Sequence, residues 1–108
     1  MIGSEYLYRE LDLFIADKIM QEKAVLPYTS SIADAWRVVE KMMRKFHCEL
    51  KLDVFLGITG EHWVASFYSP TLLRRFEAKW KNAPLAICRA ARETFTNLFM
   101  AEIGRAHV

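Results

Sequence analysis

The feature that most constrains the fold is a change in the spacing of apolar residues along the chain. Before Cys48 the apolar residues recur at intervals that place them on one side of a helix. From Cys48 to Trp80 apolar and polar residues alternate, which is typical of β-strands with one buried face. After Asn82 the helical spacing returns. The sequence therefore predicts an α+β fold with the element order α-α-β-β-β-α.

Two turns divide the alternating region into three strands. The stretches Gly57 to Gly60 and Ser69 to Thr71 contain the glycine and proline residues that reverse a chain. We expect a three-stranded antiparallel sheet, whose apolar face must be covered by helices because three strands do not form a core alone. A short helix is the alternative for the third segment, which ends at Trp80.

Capping residues and helix breakers give the approximate bounds of the three helices. The first helix is expected at Glu5 to Lys23 with Ser4 as its N-cap, because Pro27 prevents a continuation. The predicted bounds of the others are as follows: the second helix begins after Ser30 or Ser31 and ends near Lys45, and the third begins at Asn82 and ends at Gly104.

Length and composition indicate a single domain over residues 1–108. The 108 residues are 53% hydrophobic, which suffices for one core without disulfides or metal. Cys48 and Cys88 occupy apolar positions and are expected to be buried thiols in a reducing compartment. Because no leader or membrane-spanning stretch is evident, we expect a soluble cytoplasmic protein. A net charge of +2 without a basic run makes nucleic acid an unlikely partner.

No pattern in the sequence assembles a reactive centre. The P-loop, dinucleotide-binding and nucleophile-elbow motifs do not occur. His47 and Cys48 are neighbours in an extended segment, so their side chains point in opposite directions and do not chelate one ion. We therefore predict no enzymatic activity, no metal and no cofactor.

Arginine, histidine and tyrosine side chains are the candidates for binding a small anionic ligand. Arginine binds phosphate through paired hydrogen bonds, and an aromatic ring stacks on a flat base. The alternative is a solvated surface and an aromatic core, which is the commoner use of such residues. The candidate ligand-binding residues are Arg74, Arg75, His62, Tyr68, Arg37 and Arg89.

The first helix carries a second apolar stripe, formed by Tyr6, Leu13 and Met20 at seven-residue spacing. Monomers rarely expose a contiguous apolar patch, so this stripe predicts a homo-oligomer or an obligate partner. The alternative is that the helix lies beneath the third helix and both of its apolar sides are internal.

Several stretches resemble one family of small phage proteins. These are Arg9 to Met20, Tyr28 to Trp36 with Val39 to Met42, Trp63 to Phe67 and, most specifically, the Ala-Pro-Leu-Ala-Ile-Cys-Arg-Ala-Ala run from Ala83 to Ala91. Together they resemble the phage ABA sandwich domain family, in the expected order. The resemblance departs after Ala91, where an aromatic-rich segment through Phe99 extends the last helix.

The resemblance implies an α-β-α sandwich and supplies no activity or catalytic residues. A phage origin implies an accessory role in the infected bacterial cell. The expected function is stoichiometric capture, in its sharper form the sequestration of a nucleotide-derived immune signal of the host. The alternatives are an inhibitor that binds a host defence protein and a nucleic-acid-associated replication accessory.

Overall fold

The computed structural model describes the backbone of residues 2–106 and the side chains of residues 8–104. The described elements follow the predicted order. They are α1 (Ile2–Phe14), which continues into a π-helical turn (Ile15–Met20), α2 (Ile32–Phe46), β1 (Glu49–Gly57), β2 (Gly60–Ser69), β3 (Arg74–Trp80) and α3 (Ala83–Ala106). The α+β class, the element order and the three-stranded antiparallel sheet are confirmed, and the third segment is a strand.

Two of the predicted helix starts are correct because the capping side chains make the expected bonds. Ser31 Oγ accepts a hydrogen bond of 3.3 Å from the Asp34 N–H at the start of α2. Asn82 Oδ1 accepts one of 2.9 Å from the Leu85 N–H at the start of α3. These bonds satisfy first-turn amides that have no partner within the helix.

Both ends of the first helix and the C-terminal end of the last helix differ from the prediction. The first helix begins at Ile2, so Ser4 lies inside it, and its helical turns end at Met20 rather than Lys23. Gln21 follows in the left-handed conformation, with φ of 54°, and ends the helix. Gly104 does not cap α3, because the helix continues to Ala106.

The π-helical turn changes which side of the first helix is buried. In a π-helix the N–H of a residue bonds five positions back, so successive residues advance less about the axis than in an α-helix. Ile15, Ala16, Ile19 and Met20 are consequently all buried. Met20 therefore turns into the core instead of continuing the stripe that contains Leu13.

The sheet has the strand order β1-β2-β3, with both pairs antiparallel. Leu50 is opposite Phe67, and Phe67 is opposite Phe76, so one face carries a row of apolar side chains across all three strands. The other face carries Lys51, Ser66 and Glu77 in the next row. Only the first face is suited to burial.

The helices that contact the sheet, α2 and α3, pack on its apolar face. α3 contacts β2 and β3, whereas α2 lies beside α3 and reaches β1. The π-helical turn packs on α2 and α3, so α3 is covered from both sides. The layer order in the described residues is thus the sheet, then α2 and α3, then the N-terminal helix. In the described residues no helix packs on the opposite face of the sheet, most of whose side chains are charged or polar.

The core lies between α3, the sheet and the π-helical turn. Its largest fully buried side chains include Tyr28, Phe67, Ile15, Ile19, Met42, Leu85 and Ile87. Phe95 makes edge-to-face contacts with Phe14 and Phe46, with ring centroids 5.9 and 5.7 Å apart. One side chain of α3 therefore joins all three helices. Among the described helices, none has the length and apolar character needed to cross a bilayer.

Candidate ligand-binding groove

A groove of about 310 Å³ opens between α1, the end of β3 and the first half of α3. Its floor is apolar, since Leu11 and Leu85 are buried in the core. Its walls carry aromatic and charged side chains, namely Tyr8, Glu10, Trp80, Arg89 and Arg92. This volume lies at the lower end of the range found for small-molecule pockets.

Arg89 and Trp80 form the best-defined contact in the groove. The Arg89 guanidinium carbon lies 4.6 Å from the centroid of the Trp80 ring, within the range of a cation–π contact. Both side chains are half-buried. The ring holds the guanidinium on one side and leaves its N–H groups available at the edge, where arginine binds planar anions.

Arg92 adds a second positive charge on the same side of α3. It lies three residues after Arg89, so both side chains project from one face of the helix. The ion pairs of the described side chains are Lys18–Asp17, Arg37–Glu22 and Lys51–Asp53. Neither groove arginine is therefore neutralised by a described carboxylate, although Glu10 lies in the same groove.

Of the six ligand-binding residues predicted from the sequence, the structure brings together Arg75 and Tyr68. They are opposite each other in β3 and β2, and the Arg75 guanidinium carbon is 5.7 Å from the Tyr68 ring centroid. Arg75 Nη1 also donates a hydrogen bond of 2.9 Å to Ser66 Oγ. The pair lies on the open face of the sheet, away from the groove.

The other predicted residues are dispersed. Arg74 neighbours Arg75 but points to the opposite face, where its guanidinium carbon is 4.9 Å from the Phe76 ring centroid. His62 pairs with Thr59 at the hairpin turn, 3.1 Å between Nε2 and Oγ1. His62 lies six positions before Tyr68 in the same strand, so the two are about 20 Å apart.

Arg37 is engaged elsewhere. Its Nη2 donates to both carboxylate oxygens of Glu22, at 3.1 Å each. This pair raises the pKa of Arg37, chiefly through the hydrogen bond and the charge of Glu22. The contact ties α2 to the segment after the π-helical turn. Of the six predicted ligand-binding residues, Arg89 is therefore the one that lines the groove between α1, β3 and α3.

Of the residues predicted for an oligomer contact, Leu13 and Met20 do not share one surface. Leu13 is 43% exposed, whereas Met20 is 8% exposed and belongs to the core. The side chain of Tyr6 lies outside the described residues. An association through this stripe stays a prediction, and of its described members only Leu13 is at the surface.

The two cysteines are buried, as expected for structural thiols. Burial raises the pKa of Cys48 to about 11. Burial, with a smaller effect of the Asp12 carboxylate, raises the pKa of Cys88 further still. A thiol nucleophile needs the opposite shift, because the thiolate is the reactive form. In the part of the chain that the structure describes, no group of His, Cys, Asp and Glu is placed to hold a metal ion.

The sequence did not single out Tyr8 or Arg92 as ligand-binding candidates. Tyr8 and Arg92 stand in helical segments with no local motif, and Trp80 fits an apolar strand position. They meet because α1 crosses α3 near the end of β3. An approach of elements distant in sequence leaves no signature in the local pattern of any of them.

The model of the phage ABA sandwich domain matches residues 7–92, which is most of the chain. The chain belongs to the phage ABA sandwich domain family. All described groove residues lie inside the matched range. The match ends at Arg92, while α3 continues to Ala106, so the aromatic contacts of Phe95 belong to the extension beyond it. No curated protein and no solved structure was found to match the chain.

Proposed function

We propose that this phage ABA sandwich protein is an accessory binding protein that captures a small anionic ligand with a flat ring in the groove of Arg89. A nucleotide-derived immune signal of the host is the ligand class that this chemistry suits. The capture is stoichiometric, and it takes place in the cytoplasm of the infected cell. Such a protein lowers the free concentration of the signal without converting it.

The observation that carries the proposal is the meeting of Arg89, Arg92, Trp80 and Tyr8 at one groove. A phosphate accepts hydrogen bonds from the guanidinium groups, and these charge-assisted bonds are stronger than neutral ones. A base stacks on an exposed aromatic ring, because every base presents a π-face. The apolar floor formed by Leu11 and Leu85 excludes water from the bound ring.

Capture suits the groove better than catalysis. Its one described carboxylate is Glu10, so paired acid and base groups are lacking among the described lining residues. The buried cysteines have pKa values shifted away from thiolate formation. Binding without turnover needs only complementary shape and charge.

The surface does not favour the nucleic-acid alternative. On the open face of the sheet, Lys51, Arg75 and Lys79 alternate with Glu49, Asp53 and Glu77. A protein that binds a phosphate backbone presents positive charge along a continuous track. The mixed signs here give no such track.

The test is calorimetric titration of the full chain with 5′-AMP, cyclic 3′,5′-AMP, adenosine and inorganic phosphate. We expect binding of a nucleotide but not of adenosine or phosphate alone. Arg89→Ala and Arg92→Ala should each weaken binding about tenfold or more, since each removes a charge-assisted contact. Arg44→Ala is the matched control, because Arg44 is an exposed arginine of α2 outside the groove.

Recovery of the bound molecule separates capture from turnover. The complex is denatured, and the released nucleotide is identified by mass spectrometry. An intact nucleotide supports capture, whereas a cleaved product overturns it. Absence of binding to every nucleotide, or an equal loss in Arg44→Ala, overturns the assignment of the groove.

A further inference from the structure

The free edge of β1 and the adjoining side of α2 form an apolar surface that the helices leave uncovered. β1 is an edge strand of nine residues without proline. Its last residues are exposed and apolar, with Leu56 82% exposed. An edge of this kind is a template for pairing with another strand unless charge, proline or a covering element protects it.

One flank of α2 extends this surface. Ile32, Trp36 and Met43 are 52%, 47% and 52% exposed, and their spacing places them on one side of the helix. Ile32 and Trp36 share a groove of about 460 Å³ with Leu52 and Trp63 of the hairpin, so this flank faces the β1 side. The opposite flank is occupied by bonds to the segment after the π-helical turn, such as Arg37–Glu22.

The hydrogen-bonding pattern identifies which groups of β1 are free. Gly57 and Gly60 flank a two-residue turn and form a hydrogen-bonded pair. Such pairs alternate along an antiparallel ladder, so the odd-numbered residues of β1 bond to β2. The N–H and C=O groups of Leu50, Leu52, Val54 and Leu56 consequently point away from the sheet.

We propose that this surface is a homodimer interface, in which β1 pairs antiparallel with β1 of a second copy about a two-fold axis at Leu52. The result is a continuous six-stranded sheet. A two-fold axis normal to the sheet keeps both apolar faces on the same side. The exposed α2 flanks of the two copies then face each other above the join. This interface is independent of the ligand groove.

The charged side chains of β1 favour one pairing register. They also favour a second copy of this chain as the partner that pairs with the edge. With Leu52 opposite Leu52 of the second copy, Lys51 of each chain is opposite Asp53 of the other, and the free groups of Leu50 and Val54 pair. Two neighbouring registers also pair the free N–H and C=O groups of the even-numbered residues. One of them places Lys51 opposite Lys51 of the second copy, and the other places Asp53 opposite Asp53. Opposite charges across a strand pair stabilise it, and like charges destabilise it.

The test is analytical ultracentrifugation of the full chain over a dilution series, combined with backbone amide hydrogen exchange. We expect a reversible dimer in which the amide protons of Leu50, Leu52 and Val54 are protected. On dilution to the monomer these amides should exchange, because the edge is then open. Protection that does not change with concentration would overturn the proposal.

A charge exchange provides the specific control. Lys51→Asp should weaken the dimer about tenfold, since it replaces two opposite-charge pairs with two like-charge pairs. Adding Asp53→Lys should restore the affinity, because the exchanged charges are complementary again. Trp36→Ala should also weaken the dimer without changing any charge. Lys79→Asp, on the other edge of the sheet, is the matched control and should leave the dimer unchanged.

Two results would overturn the proposal. One is a protein that stays monomeric across the dilution series, which would leave the edge to a strand from a different protein. The other is a dimer that Leu13→Ala breaks and that Lys51→Asp and Trp36→Ala leave intact. That pattern would assign the association to the first helix.

Discussion

Asp12 Oδ1 accepts a hydrogen bond of 2.9 Å from the backbone N–H of Thr29. This bond joins α1 to the connector that leads into α2, across 17 positions of sequence. Thr29 is buried, so its N–H has little access to water when the carboxylate is absent.

Asp12→Ala should therefore reduce the free energy of unfolding by about 1–3 kcal/mol, the cost of leaving a buried donor without a partner. Asp17→Ala is the control, because Asp17 is highly exposed and pairs only with the neighbouring Lys18. We expect the control to change stability by no more than about 0.5 kcal/mol. Urea unfolding measures both, and equal losses would contradict a structural role for the Asp12 bond.

The change of register in the π-helical turn predicts unequal roles for Leu13 and Met20. Met20→Ala removes a side chain from the core and should cost about 2–5 kcal/mol. Leu13→Ala should cost less than about 1 kcal/mol in the monomer, because Leu13 is at the surface. Thermal unfolding at a concentration that favours the monomer distinguishes them. Similar losses would mean that both residues lie in one environment.

The same turn shows what a sequence pattern can and cannot reveal. The strands and α2 were predictable because alternation and helical spacing are local, and the Ser31 and Asn82 caps are read from single residues. A π-helical turn has no residue signature, since it depends on which carbonyl an N–H selects. The prediction that Leu13 and Met20 lie in one stripe therefore assumed an α-helix through Met20, whereas the α-helical part ends at Phe14.

The binding groove was predictable only in part for a related reason. Arg89 was a candidate for binding an anion, as an alternative to Arg74 and Arg75, which lie elsewhere. Trp80 fitted a core position and also lines the groove. Residue type indicates what a side chain can bind, whereas its neighbours depend on how α1 crosses α3.

The buried thiols predict a loss of stability at alkaline pH. The pKa of Cys48 rises from 9.0 to about 11 on folding, and that of Tyr28 from 10.0 to about 12, mainly through burial. The folded state then retains protons that the unfolded state releases, so its stability falls as pH increases. The contribution of the protonated Cys48 thiol to the free energy of unfolding should be fully present below pH 9 and should be lost as the pH rises towards 11.

Cys48→Ala with Cys88→Ala should flatten this decline, leaving the part due to Tyr28, which begins at its unfolded pKa near pH 10. Urea midpoints measured across the alkaline range provide the test. Thiol reagents should also label neither cysteine in the native protein and both after unfolding. Rapid labelling of native protein at neutral pH would contradict burial of the thiols.

The contact between Arg89 and Trp80 predicts both an energetic effect and an optical one. Arg89→Ala should reduce the free energy of unfolding by about 0.5–2 kcal/mol, the range for a partly desolvated cation–π contact. Arg89→Lys should retain part of this stabilisation, because the ammonium keeps the charge but not the planar group.

Trp80 should also report on the groove by fluorescence. With Trp36→Phe and Trp63→Phe, Trp80 is the one remaining tryptophan of the three in the chain. Removing the guanidinium from its ring changes the environment of the indole, so Arg89→Ala should alter the emission of this variant. Addition of a nucleotide that the groove binds should also change the same emission, because the ligand contacts the guanidinium that lies over the ring. Arg44→Ala should change neither signal. A nucleotide that binds yet leaves the emission of Trp80 unaltered would mean that it occupies another part of the protein.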